Sequence, residues 1–329
     1  MDILLGNNHL QKTGGTENYT YALAIELKRK GYDVEYFAFE RGDVSALLER
    51  EGIPYMTKKK YDLILANHIS VVEHLHTMGY IIQTCHGVIP DMEQPSKYAD
   101  RHVSVSDEIK QHLKDCGFDS TIILNGIDCI RFSPKKPISR KLTTVLSLCQ
   151  SDQINAFLRE CCEAEGIRFF CSNKHTDNVW KIEDMINESD MVVGIGRSIY
   201  DAMACGRCVI SYDNRGYMNE ALGDGYLTSE NISDSIKRNC SGRSLRRKFD
   251  KKAFVAELAK YNPADGAWAR EYAIEYLNVA HAADEYLNLY FSYKMQNFSE
   301  VISRIKKIRR SASIWWRNFK QRRKNRNLV

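Results

Sequence analysis

Two short glycine-containing turns and one histidine carry the chemical promise of this 329-residue chain. Gly194-Ile195-Gly196-Arg197-Ser198 follows the apolar run Met191–Val193 and leads into a helical pattern from Ile199 to Gly206. The glycines let backbone approach a ligand, the N–H groups from Arg197 to Ile199 open a helix, and the guanidinium adds a planar fork, so a diphosphate fits there. Asp201, one turn further, can accept hydrogen bonds from ribose hydroxyls, although a first-turn acid also serves the helix dipole alone. Gly14-Gly15-Thr16-Glu17 is a second flexible turn before a helix. It can attract an anion, but it lacks the GxGxxG and Walker patterns, and an ordinary connection is the competing reading. His86 ends the apolar run Ile81–Cys85 with Gly87 behind it, at the carboxyl edge of a predicted sheet where open α/β folds bind ligands. It should face the cleft between the sheets, and the plain alternative is a strand-end histidine satisfied by backbone.

The elements that must position these residues alternate in type. Strand-like runs at Ile3–Leu5, Val34–Phe39, Leu63–Ala66, Ile81–Cys85, His102–Val105 and Thr121–Leu124 are separated by helical patterns, including Thr16–Lys30 and Val44–Glu51. This βαβα order predicts a doubly wound parallel sheet over residues 1–134. Residues 135–140 are polar, contain a proline and read as a linker. The pattern restarts with strands at Thr144–Leu148, Arg168–Cys171, Met191–Val193 and Cys208–Ser211, and helices at Gln153–Glu165, Val179–Glu188 and Ser198–Cys205. The fold class expected is α/β: two Rossmann-like parallel-sheet domains, 1–134 and 141–270, facing a cleft. Residues 244–293 read as helical throughout, with 271–298 as closing helices and 299–329 as a separate tail.

Composition bounds the function. Hydrophobic residues make up 43% and charged residues 27%, with only 6 prolines, which is a globular balance able to bury two cores. The net charge of +5 is unevenly placed: residues 299–329 hold 11 Lys/Arg against Glu300, and the remainder carries −5. The body is therefore not a general nucleic-acid binder, and none is expected as a partner. No apolar run approaches a membrane span, and Met1–Leu5 lacks a secretory pattern, so a cytoplasmic protein is expected. The ten cysteines sit in apolar contexts, and Cys205-Gly-Arg-Cys208 has no second pair to complete a zinc site. His74 and His76 would not share a helix face, which argues against metal ligation. No Asp-x-Asp occurs, so no metal site is expected.

The chain resembles the family-4 glycosyltransferases over residues 2–230. The likeness is carried by Gly14-Gly15-Thr16-Glu17, Lys30-Gly31-Tyr32-Asp33-Val34, His86-Gly87, Val103-Ser104-Val105-Ser106, Asn125-Gly126-Ile127-Asp128 with Arg131-Phe132, and Asp201-Ala-Met-Ala-Cys-Gly206, in family order. The resemblance implies the GT-B architecture and a bacterial-type envelope or capsule glycan enzyme. It would transfer a sugar from a UDP- or GDP-linked donor, as substrate with no further cofactor, and retain the anomeric configuration. Gly14, Gly15, Thr16, Gly196, Arg197, Ser198, Ile199 and Asp201 would bind the donor, and His86 would lie beside the reacting sugar. Two positions depart from the family pattern. Val193 stands where the first glutamate of the Glu-x7-Glu pair is usual, and Ser147 to Gln153 supplies no Arg or Lys for the diphosphate, with Arg197 and then Lys174 as substitutes.

In the tail, Val301, Ile305, Ile308, Ala312, Trp315 and Phe319 recur at spacings of four and three, while Lys306, Lys307, Arg309 and Arg310 crowd the other faces. With Trp316 beside Trp315, this predicts an interfacial helix at the inner face of an anionic membrane; a helix packing back on the first domain is the bland alternative. The function expected is metal-independent glycosyl transfer to a lipid-linked or polysaccharide acceptor. A nucleotide-sugar epimerase on the same fold, or a non-catalytic partner, are the rival readings.

Overall fold

The computed structural model describes residues 1–173, 175, 179–215, 220–296, 298 and 299. Residues Met1–Ala283 form one compact unit and Asp284–Val329 a second. Lys174 and the tail residues from Val301 to Phe319 lie outside the described residues.

The first sheet is built from β1 (Asp2–Leu10), β2 (Asp33–Arg41), β3 (Leu63–Ala66), β4 (Tyr80–Cys85), β5 (Arg101–Ser104) and β6 (Ser120–Ile122), in the order β2-β1-β3-β4-β5-β6. Every pairing in it is parallel. β3 and β4 are buried along their whole length because helices cover both faces, which is why these strands read as continuous apolar runs. The crossovers are α1 (Gly15–Arg29), α2 (Asp43–Arg50), α3 (Ile69–Leu75), and α4 (Asp107–Asp115), whose N-terminus is capped by the Ser106 hydroxyl accepting from the Ile109 N–H.

The second sheet contains β7 (Thr144–Ser147), β8 (Arg168–Cys171), β9 (Met191–Gly194), β10 (Cys208–Tyr212) and β11 (Gly223–Tyr226), in the order β11-β10-β9-β7-β8. β11 is antiparallel to β10 and forms an edge that the sequence pattern did not announce, since Gly-Asp-Gly-Tyr carries no strand propensity. Its helices are α5 (Asp152–Ala164), α6 (Ile182–Asn187), α7 (Arg197–Ala204), α8 (Ile232–Ile236), α9 (Lys251–Leu258) and α10 (Pro263–Tyr276). Two parallel-sheet Rossmann-like halves with surrounding helices are thus the architecture, as expected.

Three expectations are corrected. β1 extends to Leu10, well past Leu5, carrying the chain to the edge of the ligand-binding side. The helix expected over 179–188 is confined to Ile182–Asn187. Residues 244–250 are not helical; Arg247 pairs with Gly223 in an isolated antiparallel bridge, and helix begins only at Lys251, where Asp250 accepts from the Ala253 N–H.

The polar linker is held rigidly. Asp190 accepts from the Ser139, Thr143 and Thr144 N–H groups at 2.8–3.0 Å and from both threonine hydroxyls at 2.7 and 2.9 Å. The fully buried Arg207 donates to the Lys136 carbonyl at 2.5 Å and to Asn187 Oδ1 at 2.9 Å. A second tie forms at the far end of the chain: Arg270 donates to the carbonyls of Phe132, Ala204 and Cys129 at 2.7–3.0 Å. The chain leaving α10 then pairs with Ile127, whose N–H donates to Leu277 O at 2.7 Å. Gly126 is required at that crossing, because a Cβ there would stand 2.7 Å from Val279 Cα.

Burial works against the Asp190 charge, but hydrogen bonds from Thr143 and Ser139 outweigh it and bring its pKa to about 2. Asp190→Ala is expected to lower the unfolding free energy by about 3 kcal/mol in urea titrations, since five donors lose their acceptor. The Asp190 contribution is complete above the carboxyl's ordinary value of 3.8 and is lost as pH falls through about 2, so the difference between wild type and variant should shrink in that window.

Candidate functional site

The carboxyl ends of the two sheets enclose a cleft of about 410 Å³. Of the residues singled out from sequence, Gly14, Gly15, Thr16, His86, Gly196, Arg197, Ser198 and Asp201 line it. Ile199 does not: its side chain is in the core of the second half, and its N–H donates to Gly196 O at 3.0 Å. The N–H groups of Arg197 and Ser198 are therefore the pair that α7 presents, having no intrahelical acceptor at the first turn. Gly196 holds φ at +60° and ψ at −130°, a conformation open to glycine alone, which turns the chain sharply from β9 into α7.

Arg197 and Asp201 share the floor of the cleft. Their side chains are only 10% and 7% exposed, Arg197 Nε stands 3.5 Å from Asp201 Oδ1, and Arg197 Nη1 donates to Gly126 O at 3.2 Å. Part of the fork expected to meet a ligand is thus committed to the 125–128 crossing. Burial pushes the Asp201 carboxyl up to about 6 despite the opposing charge of Arg197. Neither Arg197 Nε nor Asp201 Oδ1 has a hydrogen-bond partner among the described residues. Such a pair can accept a hydroxyl and donate to an oxygen.

On the opposite wall, His86 is held by a directional network. The Thr20 hydroxyl donates to Thr16 O at 2.8 Å, so its oxygen must accept from Asn67 Nδ2 and Asn7 Nδ2 at 2.7 and 2.9 Å. That orients the Asn67 amide with Oδ1 toward His86 Nε2, 3.1 Å away. This acceptor draws the proton of the neutral ring to Nε2, while Asn125 also interacts with the ring through its side chain and the Tyr19 ring stands edge-on at 5.2 Å. Burial lowers the His86 pKa to about 3, so the ring is neutral at neutral pH.

Several lining residues had no usable sequence signal. His9, at the unexpected end of β1, places Nδ1 2.9 Å from Glu17 Oε1. This hydrogen bond raises His9 to about 9. Burial opposes the Glu17 charge, but His9 and the helix backbone overcome it and lower its pKa. The Glu17 carboxylate lies over Gly14, so the first turn of α1, expected to draw a ligand anion, already faces the protein's own carboxylate. His68 beside it accepts from the Asn8 N–H at 3.1 Å through Nδ1, and burial drives it down to about 4. From the second half, Asn239, Ser241 and Arg243 enter the cleft on a loop tied to the glycine turn by Gly196 N–H donating to Cys240 O at 3.0 Å. Asn239 and Cys240 hold φ at +52° and +48°, which costs about 1 kcal/mol or more each and marks a locally constrained loop.

No family model and no curated protein sequence matches the chain. Solved structures do. An α-glucosyltransferase in complex with UDP and a 13-mer DNA aligns with TM-score 0.53 at 10% identity, covering 88% of this chain and 99% of that one. A protein named as a UDP-N-acetylglucosamine 2-epimerase from Listeria monocytogenes aligns with TM-score 0.52 at 12% identity, covering 89% and 97%. The glycosyltransferase SnogD from Streptomyces nogalater aligns with TM-score 0.51 at 9% identity, covering 88% and 99%. The chain has the GT-B fold.

The Thr20–Asn67 network predicts that His86 in the wild type gives the ¹⁵N signature of the Nε2–H tautomer. In Asn67→Leu, where nothing accepts that proton, the ring should become a tautomer mixture; an unchanged spectrum would show that another group sets the proton.

Proposed function

We propose that this protein transfers a glycosyl group from a nucleoside-diphosphate sugar, UDP- or GDP-linked, to a lipid-linked or polysaccharide acceptor. The observation that carries the reading is the opposition of the Gly196–Asp201 turn and His86 across one cleft of a GT-B fold. The N–H groups of Arg197 and Ser198, at the positive end of α7, face the donor phosphates and act on the charge that grows on the leaving diphosphate. Asp201, ionised at neutral pH, accepts the ribose hydroxyls. His86 Nδ1 accepts a hydroxyl of the transferred sugar and fixes its position.

Metal independence rests on the lack of Asp-x-Asp in the sequence. Retention of configuration rests on the family resemblance. Peripheral attachment to an anionic membrane rests on the basic amphipathic pattern of 299–329; among the described residues no helix is long and apolar enough to cross a bilayer. The likeness to the Listeria protein favours a second reading, interconversion of the free nucleotide sugar without an acceptor, and product analysis separates the two.

UDP or GDP is expected to raise the melting temperature without Mg²⁺, and Asp201→Ala should abolish the shift. Because burial raises the Asp201 carboxyl to about 6, affinity for a nucleotide sugar, whose diphosphate diester takes up no proton in this range, should fall by up to about tenfold per pH unit below that point in the wild type, and Asp201→Asn should flatten the profile. No shift with any nucleoside diphosphate would sink the donor assignment.

Deleting residues 299–329 should abolish co-sedimentation with phosphatidylglycerol vesicles and leave nucleotide binding unchanged. Equal sedimentation of the shortened chain would refute the membrane role of the tail.

A further inference from the structure

The diphosphate of the proposed donor lacks a committed cation. Arg197 is held by Gly126 O and Asp201, and Arg215 donates through Nε to the buried Asp213 at 2.8 Å. A different charge arrangement stands on the loop beside the glycine turn. Residues 237–248 contain six Lys/Arg and no acid, and the chain here dips from the surface into the cleft and out again. Just past its buried turn at Cys240–Gly242, Arg243, its side chain 12% exposed, donates through Nε to Glu108 Oε1 at 3.0 Å and through Nη2 to Glu108 Oε2. Arg238 Nη1 donates to the same Glu108 Oε1 at 3.1 Å.

Two guanidiniums thus share one carboxylate, leaving one surplus positive charge on the cleft wall. The surplus has a location. Glu108 occupies two of the three nitrogens of the Arg243 fork, and the third, Nη1, is buried with no hydrogen-bond partner among the described residues. A buried cationic N–H without an acceptor is costly unless something else supplies one. The loop cannot easily turn Arg243 away: Cys240 O receives both Gly196 N–H and the Ser211 hydroxyl, and Gly242 at φ +76° would place a Cβ against Leu222 O.

Resting on the donor reading above, we propose that Arg243 is a phosphate ligand of that donor, offering the Nη1 that Glu108 leaves unpaired, and that Glu108 competes with the bound anion for its charge. Glu108 lies at the start of α4 in the first half and Arg243 in the second, so a bound phosphate on Nη1 draws on the same charge that ties the halves through Nε and Nη2. Fork geometry matters as well as charge, because only a guanidinium can keep Glu108 and a phosphate oxygen on separate nitrogens.

The test is calorimetric titration of the full chain with inorganic pyrophosphate, UDP and GDP, comparing Arg243→Gln, Arg243→Lys, Glu108→Gln, Arg238→Gln and Asp201→Ala. The basic tail is common to all variants, so differences report the cleft. Arg243→Gln is expected to weaken pyrophosphate and the binding nucleotide at least tenfold, and Arg243→Lys to restore only part of it. Glu108→Gln should tighten both several-fold while lowering the melting temperature. Arg238→Gln removes the surplus charge but leaves Arg243 and its Nη1 in place, and should weaken binding less than Arg243→Gln does. Wild-type affinity in Arg243→Gln, with Asp201→Ala impaired, overturns the role of Arg243 and leaves the donor site standing. No binding of either nucleotide to the wild type overturns both. If Arg243→Gln melts early, the Glu108→Gln titration decides: weaker binding there means that the cluster is only a structural clamp.

Discussion

A buried guanidinium joins the parts of this protein that have to act together. Arg197 lies at the start of α7, against the carboxylate of Asp201 one turn along, and reaches the carbonyl of Gly126 in the segment that connects the two halves. Its charge is stripped of water, so its few partners carry unusual weight, and their positions depend on one another. Gly126 in turn is pressed against the returning chain at Val279, where no side chain would fit. The glycine turn, the acid and the crossing between the halves are therefore one mechanical object.

The two walls of the cleft solve the burial of polar groups differently. On the first half, polar atoms are paired in chains whose directions are set by one threonine hydroxyl, and the outcome is a neutral histidine of defined tautomer. On the second half, satisfaction is incomplete: Arg197 Nε, Asp201 Oδ1 and Arg243 Nη1 all lack partners among the described residues. A wall with unmet cationic donors and a carboxylate acceptor suits a ligand rich in phosphate and hydroxyl oxygens, while the network around His86, in which Asn7 Oδ1 is itself left without a partner among the described residues, suits placement of the group being transferred. The histidine–glutamate pair at the mouth, His9 with Glu17, adds charge without net field and fills the helix start that would otherwise have drawn an anion.

Much of this was legible in the residues. Alternating strand and helix patterns marked both sheets, since parallel strands buried on two faces must be apolar throughout, and the glycine turn and His86 stood where such sheets bind ligands. Ile199 was misjudged because a tightened first turn consumed its N–H, which a helical pattern does not reveal. The edge strand β11 was hidden by its two glycines, and the 239–243 loop lies in a stretch with no period at all.

The architecture and the inventory follow from the residues alone: two doubly wound halves, a glycine turn before a helix, an acid one turn in, and a basic amphipathic tail. These are local properties, readable from side-chain period and from the few residues able to make a given turn. Which charges meet is set by long-range packing. Glu108 and Arg243 are 135 residues apart and Arg197 and Gly126 are 71 apart. Their pairing follows from the packing of whole halves, and with it come the tautomer of His86, the raised pKa of Asp201 and the surplus charge on Arg243. Electrostatic energies depend on distance and burial in space, and neither is a property of neighbours along the chain.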